Sequence, residues 1–163
     1  PTETNGSIAA PEQNGRYVVH SCAQAVKGRP MISTSSWQAS GLVALGGGAG
    51  ALLRFHLGRL VMTLAGPAAV FPWGTFLINV TGSLAMGLLA GWLARTNGGE
   101  ATRLLLAVGV LGGFTTFSSF SLETALLIER GSVGLAATYA VGSVVAGLAG
   151  LFLGLAVMRG AAA

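Results

Sequence analysis

The chain has 163 residues, of which 52% are hydrophobic and only 9% are charged, and its formal net charge is +4. Soluble domains carry about 25% charged residues, so this composition indicates a membrane protein. The nine lysines and arginines form no patch, which argues against a nucleic-acid partner, and one cysteine with two histidines excludes a disulfide framework and a metalloenzyme site.

Residues 1–40 contain three prolines and many small polar side chains, with no apolar run longer than a few residues. Such a segment cannot bury enough surface to offset the entropy lost on ordering. We therefore predict a disordered polar N-terminal extension over residues 1–40, followed by a single transmembrane domain over residues 41–160. A signal peptide needs an apolar stretch of roughly 7–15 residues, and none is present before residue 41.

Four apolar stretches follow, each close to or beyond the roughly 20 residues that cross about 30 Å of hydrocarbon. The predicted spans are residues 41–62, 73–94, 104–128 and 132–158. Arg54, His56 and Arg59 interrupt the second half of the first stretch. The sequence therefore predicts an all-α, multi-pass protein of the cell (inner or plasma) membrane with four transmembrane helices.

The arginines of the predicted domain are shared almost equally between the two sides of the membrane. The positive-inside rule then gives no strong orientation, and the chain can insert either way up.

Small residues recur every four positions in the fourth stretch, at Gly142, Ala146, Gly150 and Gly154. A stripe of this kind lets two membrane helices approach closely. The partner can be another helix of the same chain or a second subunit, and the sequence leaves both open.

The third stretch contains GVLGGFTTFSSFSLE at residues 109–123, with a glycine pair and a threonine pair near its middle. Irregular backbone is tolerated at membrane depth only where it is buried in protein or lines a cavity. We predict a helix broken over Gly112, Gly113, Phe114 and Thr115, whose freed carbonyls are suited to a small cation such as sodium.

Several polar and aromatic side chains share helical faces within the predicted spans. The candidates are Thr75, Asn79 and Ser83 on the second span, Phe117 and Phe120 on the third, and Tyr139 and Ser143 on the fourth. Hydroxyl and amide protons, helped by the positive edges of aromatic rings, favour an anion over a cation. A single serine or threonine more often bonds the carbonyl four residues back in its own helix. The amide of Asn79 is harder to explain in that way because it needs several partners.

The stretches GGGAGALLRF (46–55), GTFLINVTGS (74–83) and GVLGGFTTFSSFSLE (109–123) together resemble the Fluc/CrcB-type fluoride channel family. The resemblance covers residues 46–154. It implies four-helix subunits that pair as antiparallel, dual-topology homodimers with two fluoride pores, embedded in membrane lipid. It also implies passive export of fluoride from the cytoplasm, which is channel activity and not enzymatic activity.

The resemblance also implies roles for individual residues. The pore residues would be Phe117, Phe120, Asn79, Thr75, Ser143 and Tyr139. Arg54 would lie near an aqueous vestibule, and Glu123 matches the acid that closes the third motif. The carbonyls of Gly112 and Thr115 from both subunits would hold a structural sodium ion at the dimer interface. Gly147 departs from the family, which often has serine or threonine at that position.

Two other functions remain as alternatives. A small proton-coupled multidrug exporter would need a carboxylate in the first span, and residues 41–62 contain none. A non-transporting assembly subunit would explain the glycine stripe but not the broken, hydroxyl-rich third span. A membrane enzyme has the least support, because the spans contain no nucleophile–base pair and no set of metal ligands.

Overall fold

The structure is a computed structural model that describes residues 35–66, 69–96 and 98–160. Every regular element in these ranges is a helix, as predicted. Most of the predicted N-terminal extension, residues 1–34, lies outside the described residues.

Helix α1 is Ser36–Ala65, 30 residues that span about 45 Å at 1.5 Å per residue. It begins five residues before the predicted first span because a capping box stabilises its start. The Gln38 N–H donates to Ser35 Oγ at 3.4 Å, and the Ser35 N–H donates to Gln38 Oε1 at 3.2 Å. The helix ends at Gly66, whose φ of 80° favours glycine.

Two further long helices are α2, Trp73–Thr96, and α6, Val133–Gly160. Together with the segment Glu100–Glu129 they are the three described helices long and apolar enough to cross a membrane. Helix α1 has the length, but Arg54 and Arg59 lie in its second half. The structure thus confirms three of the four predicted spans by length and composition.

The third span is interrupted, as predicted. Its elements are α3 (Glu100–Thr102), a π-helical segment (Arg103–Leu111), α4 (Gly112–Phe114) and α5 (Phe117–Glu129). The predicted position of the break was right at Thr115 but wrong at Gly112, Gly113 and Phe114, which form the short helix α4. The extended residues are Thr115, with φ −76° and ψ 156°, and Thr116, with φ −147° and ψ 119°.

Helices α2 and α6 pack closely because glycines remove side chains from their contact. A Cβ atom added at Gly154 would lie 2.5 Å from the carbonyl oxygen of Leu84, and one at Gly150 would lie 3.2 Å from that of Val80. A Cβ atom at Gly142 would meet nothing within 4 Å. Half of the predicted stripe therefore serves packing within the chain, while Gly142 stays open.

A second close approach joins α1 to the π-helical segment. A Cβ atom at Gly46 would lie 2.9 Å from the Cα atom of Gly109, and the reverse distance is 2.8 Å. Neither residue can carry a side chain without separating the two backbones. A Cβ atom at Gly50 would lie 2.8 Å from the nitrogen of Phe114, so the middle of α1 lies beside the helix break.

Candidate functional site at the helix break

The helix break is held by Asn79. The Thr116 N–H, which in an unbroken helix would donate to the carbonyl of Gly112, donates to Asn79 Oδ1 at 2.9 Å. The same amide donates from Nδ2 to the Thr116 carbonyl at 3.1 Å. Asn79 thus satisfies both main-chain groups of Thr116, and one hydrogen on Nδ2 remains for another acceptor.

The side chain of Thr116 caps the helix that follows. Its Oγ1 accepts from the Ser119 N–H at 3.3 Å, so Thr116 is the N-cap of α5. A threonine N-cap stabilises a helix start by about 1 kcal/mol. The threonine pair therefore ends one helix and begins the next.

A cavity of about 270 Å³ lies against the break. Its lining residues are Asn79, Ser83, Thr115, Thr116, Phe117, Phe120, Ser143 and Val144. We call it the smaller cavity, because a second and larger one is described below. Four of the six predicted pore residues line it together. The rings of Phe117 and Phe120 are 5.6 Å apart between centroids, so the prediction that they project together is confirmed.

The hydroxyl of Ser143 is an unusual polar group in the wall of the smaller cavity. Its Oγ is buried and has no hydrogen-bond partner among the residues that the structure describes. An unsatisfied buried hydroxyl costs about 1–3 kcal/mol, so such a group needs an explanation. A polar ligand or water in the cavity provides one.

Ser83 lines the smaller cavity too and was not among the predicted pore residues. The signal was present, because Ser83 follows Asn79 by four residues and continues the face of α2. A Cβ atom at Gly147 would lie 3.4 Å from Ser83 Oγ. The hydroxyl of Ser83 therefore lies beside Gly147.

Thr75 and Tyr139 form a second cluster around Glu123. The hydroxyl of Thr75 donates to Glu123 Oε1, and that of Tyr139 donates to Oε2, both at 2.7 Å. The Tyr139 side chain is fully buried. The structure therefore separates these two predicted residues from the smaller cavity, although the rings of Phe120 and Tyr139 are only 5.3 Å apart. Sequence reasoning noted Glu123 but not its two hydroxyl donors.

A second cavity, of about 800 Å³, lies between α1, α2 and α5. Thr116 lines both cavities, so the break forms a wall between them. Arg54 lines this larger cavity, and its Nη1 donates to the Thr115 carbonyl at 3.4 Å. Thr75 and Glu123 are also part of its wall.

The carbonyls of Gly112 and Thr115 are suitable donors for a small hard cation, which prefers oxygen ligands. The Gly112 carbonyl has lost the Thr116 N–H to Asn79. The Thr115 carbonyl accepts one long bond from Arg54, and a carbonyl has two lone pairs. Two carbonyls supply only part of the coordination shell of such a cation.

The sequence profile of the family described as "CrcB-like protein, Camphor Resistance (CrcB)" matches residues 41–155. The chain belongs to this family. Among CrcB-like relatives, the fluoride-specific ion channel FluC of Novosphingobium aromaticivorans is 73% identical over 124 residues, covering 76% of this chain and 98% of that protein. Fluoride-specific ion channel FluC 2 of Nitrobacter hamburgensis is 56% identical over 119 residues, covering 72% and 94%. FluC of Caulobacter vibrioides is 51% identical over 120 residues, covering 72% and 93%.

Family membership agrees with the three membrane-length helices. This CrcB-like chain is therefore a multi-pass membrane protein. The family match begins at residue 41 and leaves the predicted N-terminal extension outside.

Proposed function

We propose that this CrcB-like protein is a fluoride channel that lets fluoride leave the cytoplasm passively. The relatives named above are fluoride-specific ion channels, and this chain matches nearly their full length. The observation in the structure that carries the proposal is the unpartnered hydroxyl of Ser143 in a cavity of about 270 Å³. Liquid water occupies about 30 Å³ per molecule, so this cavity has room for a small anion with some of its water.

The smaller cavity offers donors that can replace the hydration of a small anion. They are the hydroxyls of Ser143 and Ser83 and the remaining Nδ2 hydrogen of Asn79. The edges of the Phe117 and Phe120 rings carry the positive part of the aromatic quadrupole. The described residues that line the smaller cavity include no carboxylate, so a dehydrated cation would find few ligands among them.

Export through such a pore needs no energy source of its own. A negative-inside membrane potential drives a monovalent anion outward by about 2.3 kcal/mol per 100 mV. Fluoride enters acidified cells as neutral HF, dissociates and becomes trapped as the anion. A passive pore therefore lowers intracellular fluoride. The sequence contains no GxxxxGK[ST] loop for ATP.

We infer that α1 also crosses the membrane, which brings the number of spans to four. Charged side chains within a membrane helix face a cavity or a partner. Arg54 and Arg59 both line the larger cavity, so α1 can cross the bilayer with its arginines turned inward.

We also propose an antiparallel homodimer with dual topology. Phe117 is 79% exposed in the single chain although it lines the smaller cavity. A second copy would cover this ring and close the cavity on that side. In such a dimer, the Gly112 and Thr115 carbonyls of both subunits would hold one structural sodium ion.

The experiment that tests the function is efflux from liposomes containing the purified full-length protein, read with a fluoride electrode and compared with chloride. We expect rapid fluoride efflux, little chloride efflux, and loss of fluoride efflux in the double variant Phe117→Ile/Phe120→Ile. Wild-type protein that passes no fluoride, or passes chloride equally well, would contradict the proposal. Proton-coupled transport of organic cations would favour the exporter instead.

A further inference from the structure

The larger cavity is elongated along α1. Its lining residues on this helix run from Ala51 to Thr63, about 18 Å at 1.5 Å per residue. At one end it reaches Thr116 and Ser119 at the helix break. At the other it reaches Met62, Thr63 and Pro72, close to the end of α1. The cavity therefore connects the end of α1 with the break.

The two arginines of this cavity lie in different surroundings. The Arg54 guanidinium donates to the Thr115 carbonyl at the break. Arg59 is five residues nearer the end of α1 and is exposed. Its guanidinium carbon lies 5.6 Å from the centroid of the Phe55 ring, which also lines the cavity.

Among the residues that the structure describes, no carboxylate pairs with Arg59 by direct contact. Within residues 35–66, 69–96 and 98–160 the ion pair is Arg103–Glu100, at 4.0 Å. Glu123 is the one acidic residue of the larger cavity, and its oxygens accept from Thr75 and Tyr139. Two arginines against one glutamate give this cavity an excess of positive formal charge.

We propose that Arg59 attracts anions at the end of the larger cavity that lies near the end of α1, away from the helix break. It raises the local concentration of small anions there without selecting among them, and Arg54 receives them at the break. Clefts with one sign of charge and low-dielectric walls concentrate ions of the opposite sign. Stacking on Phe55 holds the guanidinium at the wall while leaving its N–H donors free. This inference rests on the proposed function.

The test is fluoride efflux from liposomes with Arg59→Gln at low fluoride, at two ionic strengths set with a salt of a bulky organic anion. The Debye length falls from about 30 Å at 0.01 M to about 10 Å at 0.1 M. We expect efflux through R59Q to be about two- to fourfold slower than wild type at 0.01 M, with the difference shrinking as salt is raised. The fluoride-to-chloride ratio should stay that of the wild type.

Two matched variants make the test specific. Arg59→Lys keeps the charge and should retain most of the wild-type rate. Arg130→Gln makes the same charge change in the turn after α5, outside the lining of the larger cavity, and should leave the rate unchanged.

The inference is overturned if R59Q matches wild type at low ionic strength, or is slowed equally at all ionic strengths. It is also overturned if R59Q changes only the anionic lipid retained by the purified protein and not the efflux. Wild-type protein without fluoride efflux defeats the proposed function as well. Wild-type efflux with a salt-independent R59Q defeats this inference alone.

Discussion

Several hydroxyls in the described spans bond the carbonyl four residues back in their own helix. Thr81, Ser121, Thr124 and Thr138 all do so, at 2.6 to 3.0 Å. These four residues follow the pattern expected for single serines and threonines. Ser143 departs from that habit, because its buried Oγ has no partner within the described part of the chain. The Ser143 hydroxyl is therefore available to a ligand, whereas the four others are bonded to their own backbone.

Ser143→Ala should slow fluoride efflux without destabilising the fold. A hydrogen bond to a charged group contributes about 1.5–3 kcal/mol, so loss of this donor should reduce the rate by roughly ten- to hundredfold. Thermal unfolding in detergent should be unchanged or shifted upward, since an unsatisfied hydroxyl is removed. Ser121→Ala is the matched control and should retain the wild-type rate. A normal rate in S143A would argue against a ligand at this hydroxyl.

The cluster around Glu123 predicts a different outcome. Tyr139→Phe and Thr75→Val each remove one hydrogen-bond donor to the half-buried carboxyl group of Glu123. Each should lower the free energy of unfolding by about 1–3 kcal/mol. The double variant should deviate from additivity because both hydroxyls share one carboxyl group. Unfolding in mixed micelles measures these values. Thr81→Val, which loses only a bond to its own helix, should cost less than T75V; an equal cost would contradict the cluster's importance.

At the level of helices, the sequence predicted the break and one of its two residues, Thr115, but wrongly included Gly112, Gly113 and Phe114. Glycine pairs suggest irregular backbone, yet Gly112 and Gly113 remain in a helix. A Cβ atom at Gly113 would lie 2.9 Å from the Cα atom of Gly47, so this glycine serves close packing. The break falls at Thr115 and Thr116 because Asn79 on another helix supplies the missing partners, and that tertiary contact cannot be read from local sequence.

The sequence predicted which residues belong to the site but not which of them contact one another. Periodicity placed Thr75 and Asn79 on one face of α2 correctly. It carried no information on which residues face them across the bundle, so the Glu123 bonds of Thr75 and Tyr139 were missed. Both carboxyl oxygens are reached over sequence separations of 48 and 16 residues.

The glycine stripe of α6 gives a test within one helix. Gly154→Ala places a methyl group against the Leu84 carbonyl and should cost about 1–3 kcal/mol through overpacking. Gly142→Ala meets open space and should leave the unfolding temperature unchanged or slightly higher, since alanine is the better helix former. Thermal unfolding of both variants in detergent compares them. Equal destabilisation would contradict the assignment of Gly154, and not Gly142, to packing against α2.

For the whole molecule, one chain leaves large apolar side chains uncovered beside its polar site. Phe117 is the clearest case, since its ring lines the smaller cavity and is 79% exposed. Part of this exposed surface faces lipid in any membrane protein. An aromatic ring at a polar cavity is better explained by a second subunit than by lipid, which supports the proposed homodimer.

Sodium should stabilise this dimer if carbonyls of both subunits hold it. A ligand at a hundred times its Kd adds about 2.7 kcal/mol to the stability of the state that binds it. We expect the unfolding temperature and the dimer fraction in detergent to fall when sodium chloride is replaced by N-methyl-D-glucamine chloride. Identical values in the two salts, at equal chloride and ionic strength, would count against a structural sodium site.

The pairing of Asn79 with Thr116 uses only peptide groups of the second residue. Recognition of this kind is indifferent to the side chain at position 116. A change of that side chain would therefore alter the N-cap of α5 and the wall shared by the two cavities, but would leave the pairing with Asn79 intact. Few residues could replace Asn79 in this pairing, because few side chains present a donor and an acceptor in one plane.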